Sequence, residues 1–227
     1  MDFLTLGKTR QVMPGQHIYD INNWFVFSGI CAVYLFSSYY LQQHVLTESV
    51  YYNSLSAMDE HEIEEIFHSK ESAGILGYFM VPVTTTVKML FTSFCLYTGL
   101  LVMGNTTPFR KIFKIALFAE IAFVLATLVR LILLAFFMDV NNFNDISSFA
   151  PLSLYSLIGS APAYLAYPLQ TINVFEVLYV FLLAAGLQYF LKFEFKKMLL
   201  LVLASYGLGL LAWMIFVGFL NVNFISQ

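Results

Sequence analysis

Four charged residues lie inside long apolar stretches of this chain, and any chemistry within those stretches would have to involve them. They are Lys88, Glu120, Arg130 and Glu176. A charge near the centre of a lipid bilayer costs roughly 2.5–3.5 kcal/mol on insertion scales, so such residues usually face the bundle interior and pair. We therefore predict that the four form an intramembrane charge cluster.

Estimated depth in the membrane predicts how the four charges pair. At about 1.5 Å of rise per residue, Arg130 and Glu176 both lie roughly 12–14 Å below the outer face. Lys88 and Glu120 both lie about 21 Å below it, in a hydrocarbon core about 30 Å thick. These two neutral layers either hold the helices in register or line a polar path for an ion, a proton or a lipid headgroup. We favour the first role.

A stripe of small and polar residues runs along the helix that carries Lys88. It consists of Thr84, Lys88, Thr92, Cys95 and Gly99, which recur every three or four residues and therefore share one helix face. Helix interfaces in membranes are enriched in such residues. The stripe indicates that this face packs against other helices.

Three polar residues outside the apolar stretches could in principle ligate a metal. His61, Glu65 and His68 are spaced so that they share one face of a helix. Imidazole and carboxylate groups suit zinc or another transition metal, but the spacing is not that of the HExxH motif. We expect a solvated acidic face rather than a metal site, and no cofactor.

The composition and the gaps between charges indicate the elements that must position these residues. The chain has 227 residues, of which 59% are hydrophobic and 11% charged. Soluble domains have about 25% charged residues, so this is predicted to be an all-α polytopic membrane protein. Each long gap between charges has room for one span of about 20 residues. We predict five spans, near residues 24–42, 75–103, 114–138, 168–191 and 198–220.

The basic residues predict the orientation, because lysine and arginine favour the cytoplasmic side. With five spans and the N-terminus inside, eight basic residues lie inside and only Lys70 lies outside. The eight are Lys8, Arg10, Arg110, Lys111, Lys114, Lys192, Lys196 and Lys197. We therefore expect the N-terminus inside and the C-terminus outside.

The remaining segments are predicted to lie at the membrane faces. Residues 1–23 form an inner-face tail, and residues 24–227 form a single five-helix membrane domain. Residues 43–74 form an outer loop with a short amphipathic helix at 57–69. Residues 149–167 contain Pro151 and Pro162 and are interpreted as an outer interfacial or re-entrant segment rather than a sixth span.

Several short segments resemble the Yip-domain family, the Ypt/Rab-interacting five-span membrane proteins and their bacterial relatives. They are residues 74–104, residues 107–117 (TPFRKIFKIAL), residues 173–179 (NVFEVLY), residues 184–187 (AAGL) and residues 195–197 (FKK). The resemblance covers residues 70–220. The short tail before the first span resembles the bacterial members rather than the eukaryotic trafficking members. The family brings no catalytic residues with it.

The resemblance implies a membrane scaffold or accessory subunit, for example in protein export or membrane organisation. The alternative is a small transporter or channel that uses the four intramembrane charges, and an intramembrane enzyme ranks third. The chain contains no GxSxG, P-loop or dinucleotide motif, so we expect no enzyme activity. Expected partners are membrane lipids and a larger membrane complex or further copies of the chain, without nucleic acid. The expected location is a bacterial inner membrane.

Overall fold

The structure is a computed structural model that describes residues 21–56, 58–158 and 161–221. The predicted tail at 1–23 lies almost wholly outside these residues. The described part is helical, apart from one isolated bridge between Ser153 and Asn173. Five helical stretches are long and apolar enough to span a membrane, which confirms the predicted all-α class and number of spans. They are Asn23–Val45, Leu76–Val102, Phe109–Phe136, Val174–Leu191 and Phe195–Leu220.

Eleven α-helices make up these stretches and their connections within the described residues. They are α1 (Asn23–Tyr40), α2 (Glu48–Ser54), α3 (Glu60–Val102), α4 (Phe109–Ala119), α5 (Ile121–Phe136), α6 (Phe143–Ser148), α7 (Leu154–Ile158), α8 (Ala163–Thr171), α9 (Val174–Leu191), α10 (Phe195–Val202) and α11 (Leu208–Leu220). Wider π-helical turns at Leu41–Val45 and Leu203–Gly207 extend α1 and join α10 to α11. Glu120 joins α4 to α5, so these two helices form one span.

Local sequence explains where the spans begin and end. The side chains of Asn22 and Asn173 accept backbone hydrogen bonds at the starts of α1 and α9, as N-cap residues do. Gly104 has φ +74° just after α3, a conformation that glycine adopts without a Cβ penalty. Lys192 ends α9 in the same left-handed region at φ +56°.

The amphipathic helix predicted at 57–69 is not a separate element. The structure has α2 earlier in the loop, and α3 then runs without a break from Glu60 to Val102. No proline interrupts residues 60–81, and the two serines, one alanine and two glycines there are tolerated in a helix, so nothing stops α3 before the membrane. Ile63, on the predicted apolar stripe, is 2% exposed.

The segment predicted to be interfacial folds into short helices rather than a span. Its described part belongs to α7 and α8, and α8, with nine residues, is the longer. The fourth span therefore begins at Val174 rather than at the predicted residue 168. Antiparallel hydrogen bonds, Leu154 N to Ile172 O and Val174 N to Leu152 O, close this segment into a compact cap. Helix α8 packs against α11.

The two ends of the bundle differ. We call one the basic end, because the α3–α4 and α9–α10 turns and the helix starts after them carry six basic residues there: Arg110, Lys111, Lys114, Lys192, Lys196 and Lys197. The half of the bundle next to it is tightly packed. Its buried core includes Leu96 and Leu100 of α3, Ile112 of α4, Leu187 of α9 and Met198 of α10.

The opposite end, which we call the loop end, holds α2 and α6–α8. Tyr51 of α2 packs edge-on against Phe67 of α3 and Phe143 of α6, with ring centroids 5.3 and 5.0 Å away. Burial among these rings raises the pKa of the Tyr51 phenol above its ordinary value. The backbone N–H of Phe143 donates to Ser54 Oγ at 2.8 Å. These contacts join α2, the start of α3 and α6 into one layer.

Candidate functional site: an intramembrane charge cluster

Lys88 and Glu120 form an ion pair within the spans, as the depth estimate predicts. The Lys88 ammonium donates to Glu120 Oε1 at 2.9 Å. The Tyr34 hydroxyl of α1 donates to the same oxygen, also at 2.9 Å. Three spans therefore meet at one carboxylate oxygen, because Tyr34, Lys88 and Glu120 come from the first, second and third.

The surroundings of this pair are asymmetric. Lys88 Nζ lies 3.1 Å from the centroid of the Phe123 ring and 5.7 Å from that of Tyr179, so aromatic faces also stabilise the ammonium. The Glu120 side chain is 1% exposed, whereas that of Lys88 is 37% exposed. Glu120 Oε2 is buried and has no hydrogen-bond partner among the residues that the structure describes. Oε1 of this carboxylate thus accepts two hydrogen bonds, whereas Oε2 accepts none from the described residues.

The second carboxylate, Glu176, lies in the first turn of α9. Its backbone N–H donates to Asn173 Oδ1 at 2.8 Å, and its Oε1 accepts from the Tyr206 hydroxyl at 2.8 Å. The positive end of the helix dipole favours a carboxylate in this turn. The Tyr206 ring packs on Tyr179 at 5.5 Å, and Tyr179 packs on Phe123 at 4.7 Å. Three aromatic rings in tilted and edge-on contact therefore connect the surroundings of the two carboxylates.

Arg130 and Glu176 have other partners than the depth estimate predicts. Arg130 Nη2 donates to the backbone carbonyl of Ile146 in α6 at 2.7 Å, and its Nε is buried without a partner in the described part of the chain. The estimate assumed that the fourth span begins near residue 168, but α9 begins at Val174. Counted from the basic end, Glu176 lies about 22 Å deep and Arg130 about 31 Å. Glu176 therefore lies level with Lys88, at about 21 Å, rather than with Arg130.

Two cavities meet at Lys88. The first, of about 520 Å³, has Glu120 and Arg130 in its wall and is roofed by the α6–α7 turn and α8. The second, of about 510 Å³, has Glu176 and Tyr206 in its wall. Both share one group of lining residues: Thr84, Lys88, Phe123, Tyr167, Thr171 and Asn173. The structure thus distributes all four predicted site residues around two adjoining cavities, and among these four it pairs Lys88 with Glu120.

The polar stripe on α3 divides into two parts. Thr84, Lys88 and Thr92 line the second cavity. Near the basic end the stripe forms a close helix contact, where a Cβ on Gly99 would lie 2.7 Å from Ser205 Cβ. The stripe therefore faces other helices along its length, as its composition predicts, and its loop-end part lines the cavity next to the charge cluster.

The metal candidates are not gathered into a site by the described residues. His61 and Glu65 are exposed on the first turns of α3, and the side chain of His68 lies outside the described part of the chain. Among the described residues no group of three or more His, Cys, Asp or Glu side chains is arranged to hold a metal ion.

Sequence reasoning missed the tyrosines. Tyr34 and Tyr206 bond to Glu120 and Glu176, and Tyr179, fully buried, donates to Thr92 Oγ1 at 3.1 Å. A hydroxyl inside an apolar span has to find a partner, so a tyrosine in mid-span was an available signal. The gaps between charges carry no information about these residues, because tyrosine is uncharged.

Comparison with protein-family models, with curated proteins and with solved structures finds no match for this chain.

Proposed function

We propose that this protein is a small membrane transporter whose substrate site is the Lys88–Glu120 cluster. The supporting observation is the unpartnered Oε2 of Glu120, a side chain that is 1% exposed and lies in the wall of a cavity. Buried carboxylates with a purely structural role normally have both oxygens hydrogen-bonded. An open oxygen beside a cavity is the arrangement expected of a site that accepts a proton or a donor group from a ligand.

The position of the cluster supports the same proposal. Lys88 lies about 21 Å from the end of α3 at Val102 and about 18 Å from Leu76, near the middle of the apolar stretch. Transporters place their substrate sites near the bilayer midplane. Ionisable residues at this depth mark substrate or ion pathways, and here two cavities lead to them.

Reconstitution of the purified protein into liposomes tests this proposal. Three kinds of flux would be measured: that of protons with a trapped pH-sensitive dye, that of inorganic ions (potassium and chloride) with ion-sensitive dyes, and that of a fluorescent phospholipid with dithionite. At least one of these fluxes should exceed that of empty liposomes. The double variant Lys88→Met with Glu120→Met should be folded but lose this flux, whereas Glu194→Gln, near the basic end, should keep it. The absence of all three fluxes would contradict the proposal.

One observation favours a second candidate, the scaffold or accessory subunit implied by the family resemblance. The Lys88–Glu120–Tyr34 group joins three spans, as a purely structural ion pair would. This candidate predicts one stoichiometric, larger membrane partner after purification in mild detergent. It also predicts that the Lys88→Met, Glu120→Met variant keeps that partner, because the charges would then serve only the bundle.

The family, the particular membrane and the partners expected from the sequence are also proposals. The five candidate spans establish that the chain fits a multi-pass membrane protein. Membership of the Yip-domain family rests on the short segments quoted above, and the bacterial inner membrane rests on the resemblance to that family's bacterial members. We also propose that the protein works without enzyme chemistry or a cofactor. Its proposed partners are lipids and membrane proteins, and not nucleic acid.

A further inference from the structure

The second cavity is a crevice in the side of the bundle. Val83 and Val87 of α3 form one wall, and Leu210 and Trp213 of α11 form the other. The turn at Leu203–Gly207 packs on α3, whereas α11 beyond it packs against α8, so the walls separate toward the loop end. Val87 and Trp213 are exposed on the lipid-facing side. A lipid in the surrounding bilayer can therefore reach the floor of the crevice without crossing water.

The floor of the crevice carries charges of both signs. Lys88 and Glu176 lie level with each other at about 21–22 Å from the basic end, and both line the crevice. The bond to Glu120 uses one of the three N–H donors of Lys88. Glu176 is held in place by Tyr206 and by the start of α9. A ligand there meets a cationic donor and an anionic acceptor side by side.

The balance of charge selects the class of ligand. Lys88, Glu120 and Glu176 together carry a formal charge of −1, and Arg130 lies about 9 Å nearer the loop end, bonded to Ile146. In a low dielectric this set repels a headgroup that has only negative charge. It favours a headgroup with an anionic phosphate next to a primary ammonium, which can bond to Lys88 and Glu176 respectively.

We propose that the substrate of this site is a phospholipid with a primary-amine headgroup, of the phosphatidylethanolamine class, which enters sideways between α3 and α11. The inference rests on the proposed function, because it names the substrate class of the same site. The acyl chains stay in the bilayer while the headgroup occupies the crevice floor. Because that floor is near the bilayer midplane, a bound headgroup is halfway between the two leaflets.

A third groove extends this route toward the basic end. It has a volume of about 610 Å³ and lies between α3 and α10, lined on α3 by Phe94, Thr98 and Val102. These residues continue the face of α3 that lines the crevice, since they follow Val87 and Phe91 at helical spacing. Lys197 lies at its far end and can bind a lipid phosphate at the membrane surface.

Trp213 supplies the readout, because it lines the crevice and the chain has only two tryptophans. The full-length Trp24→Phe protein would be reconstituted into mixed vesicles in which one lipid carries brominated acyl chains that quench tryptophan. Phosphatidylethanolamine, phosphatidylcholine and phosphatidylglycerol would be brominated in turn. We expect phosphatidylethanolamine to bind roughly tenfold more tightly than phosphatidylglycerol. It should also bind more tightly than phosphatidylcholine, whose ammonium has the same charge but no N–H donor.

Variants test whether the preference for phosphatidylethanolamine arises at the crevice. Glu176→Gln, which can still accept from Tyr206, should reduce both ratios to about one, and the matched variant Glu194→Gln should leave them unchanged. If Glu176→Gln does not fold, Lys88→Met with Glu120→Met is the replacement. It removes the phosphate partner but keeps Glu176, so the affinity for phosphatidylethanolamine should fall while phosphatidylglycerol stays disfavoured. Equal quenching by all three lipids, a preference that survives Glu176→Gln, or an unchanged affinity for phosphatidylethanolamine in the double variant would overturn the inference.

The outcomes also separate this inference from the proposed function. Flux of protons or ions that depends on Lys88, combined with equal lipid quenching, would retain the transporter and overturn the lipid substrate. A lipid preference that Glu176→Gln abolishes, without any flux in liposomes, would retain the lipid site and overturn transport.

Discussion

At the residue scale, the Lys88–Glu120 pair can be tested by removing its partners one at a time. Glu120 is 1% exposed, so Lys88→Met leaves a buried carboxylate with neither its ion pair nor a partner for Oε2. Breaking a buried ion pair costs roughly 3–5 kcal/mol, and we expect about 3 kcal/mol because Lys88 is partly accessible. The double variant Lys88→Met with Glu120→Met should recover most of this loss. Melting temperatures in detergent measure both effects.

Substitutions at Arg130 and Glu176 should have additive effects on stability, in contrast to those at Lys88 and Glu120. They have separate partners, Ile146 O for Arg130 and Tyr206 for Glu176, at depths that differ by about 9 Å. Mutations without shared partners add to within about 0.3–0.5 kcal/mol. Arg130→Met and Glu176→Gln should therefore lower the free energy of unfolding by independent amounts in a double-mutant cycle. A coupling energy above about 1 kcal/mol would show that the two side chains interact directly.

The two pairs show what the sequence could and could not predict about the site. Lys88 and Glu120 pair as the depth count predicts, although the third span begins at Phe109 rather than at the predicted residue 114. Glu176 was misplaced because its depth was counted from Pro168, which lies inside α8 rather than at the start of a span. Spacing along one helix cannot reveal a turn that tertiary contacts stabilise, such as the one closed by Ser153 and Asn173.

At the element scale, the contact between α3 and the Leu203–Gly207 turn depends on the absence of a side chain at Gly99. A Cβ there would lie 2.7 Å from Ser205 Cβ and 3.0 Å from its Oγ. Gly99→Ala should therefore destabilise the protein by about 1–3 kcal/mol through overpacking. Ser205→Gly should relieve part of that loss in the double variant, because it removes both clashing atoms. Thermal unfolding of the two single variants and the double variant measures the effect.

The same helix provides a matched control. A Cβ on Gly77 would have nothing within 4 Å. Gly77→Ala should therefore be neutral or stabilise α3 by up to about 1 kcal/mol, since alanine favours a helix over glycine. A similar loss for both substitutions would mean that the cost lies in the α3 backbone and not in its contact with Ser205.

The elements show a second limit of sequence reasoning. Apolar gaps were sufficient to place all five spans, because in lipid the backbone must form helices. They did not distinguish a separate surface helix from an extension of α3, since residues 60–75 are polar but contain no helix breaker. Whether a helix continues past the membrane surface depends on its neighbours, here the contacts of Tyr51 with Phe67 and Phe143.

At the scale of the whole molecule, the packed half of the bundle supports the half that contains cavities. The core around Leu100, Ile112 and Leu187 fixes α3, α4 and α9 at the basic end. Toward the loop end the same helices leave room for the two cavities, and the bond from Trp213 Nε1 to Tyr167 Oη, at 2.9 Å, joins α11 to α8 beside them. Rigid packing at one end thus positions the charge cluster and the cavities of the other half.

The orientation of this asymmetric bundle is the remaining prediction. Six basic residues cluster at the basic end, and the positive-inside tendency places such clusters on the cytoplasmic side. The half of the bundle that contains both cavities would then lie toward the outside, as uptake from that side or lipid entry from the outer leaflet requires.

Single cysteines at exposed positions measure this orientation in intact cells with a membrane-impermeant maleimide. Asn144→Cys, in α6 at the loop end, should be labelled, and Glu194→Cys, in the α9–α10 turn, should be labelled only after the cells are opened. The two native cysteines are free, one buried and one partly buried within the spans, so the unsubstituted protein gives the background. Labelling of Glu194→Cys in intact cells with protection of Asn144→Cys would reverse the orientation and place the half with the cavities toward the cytoplasmic side.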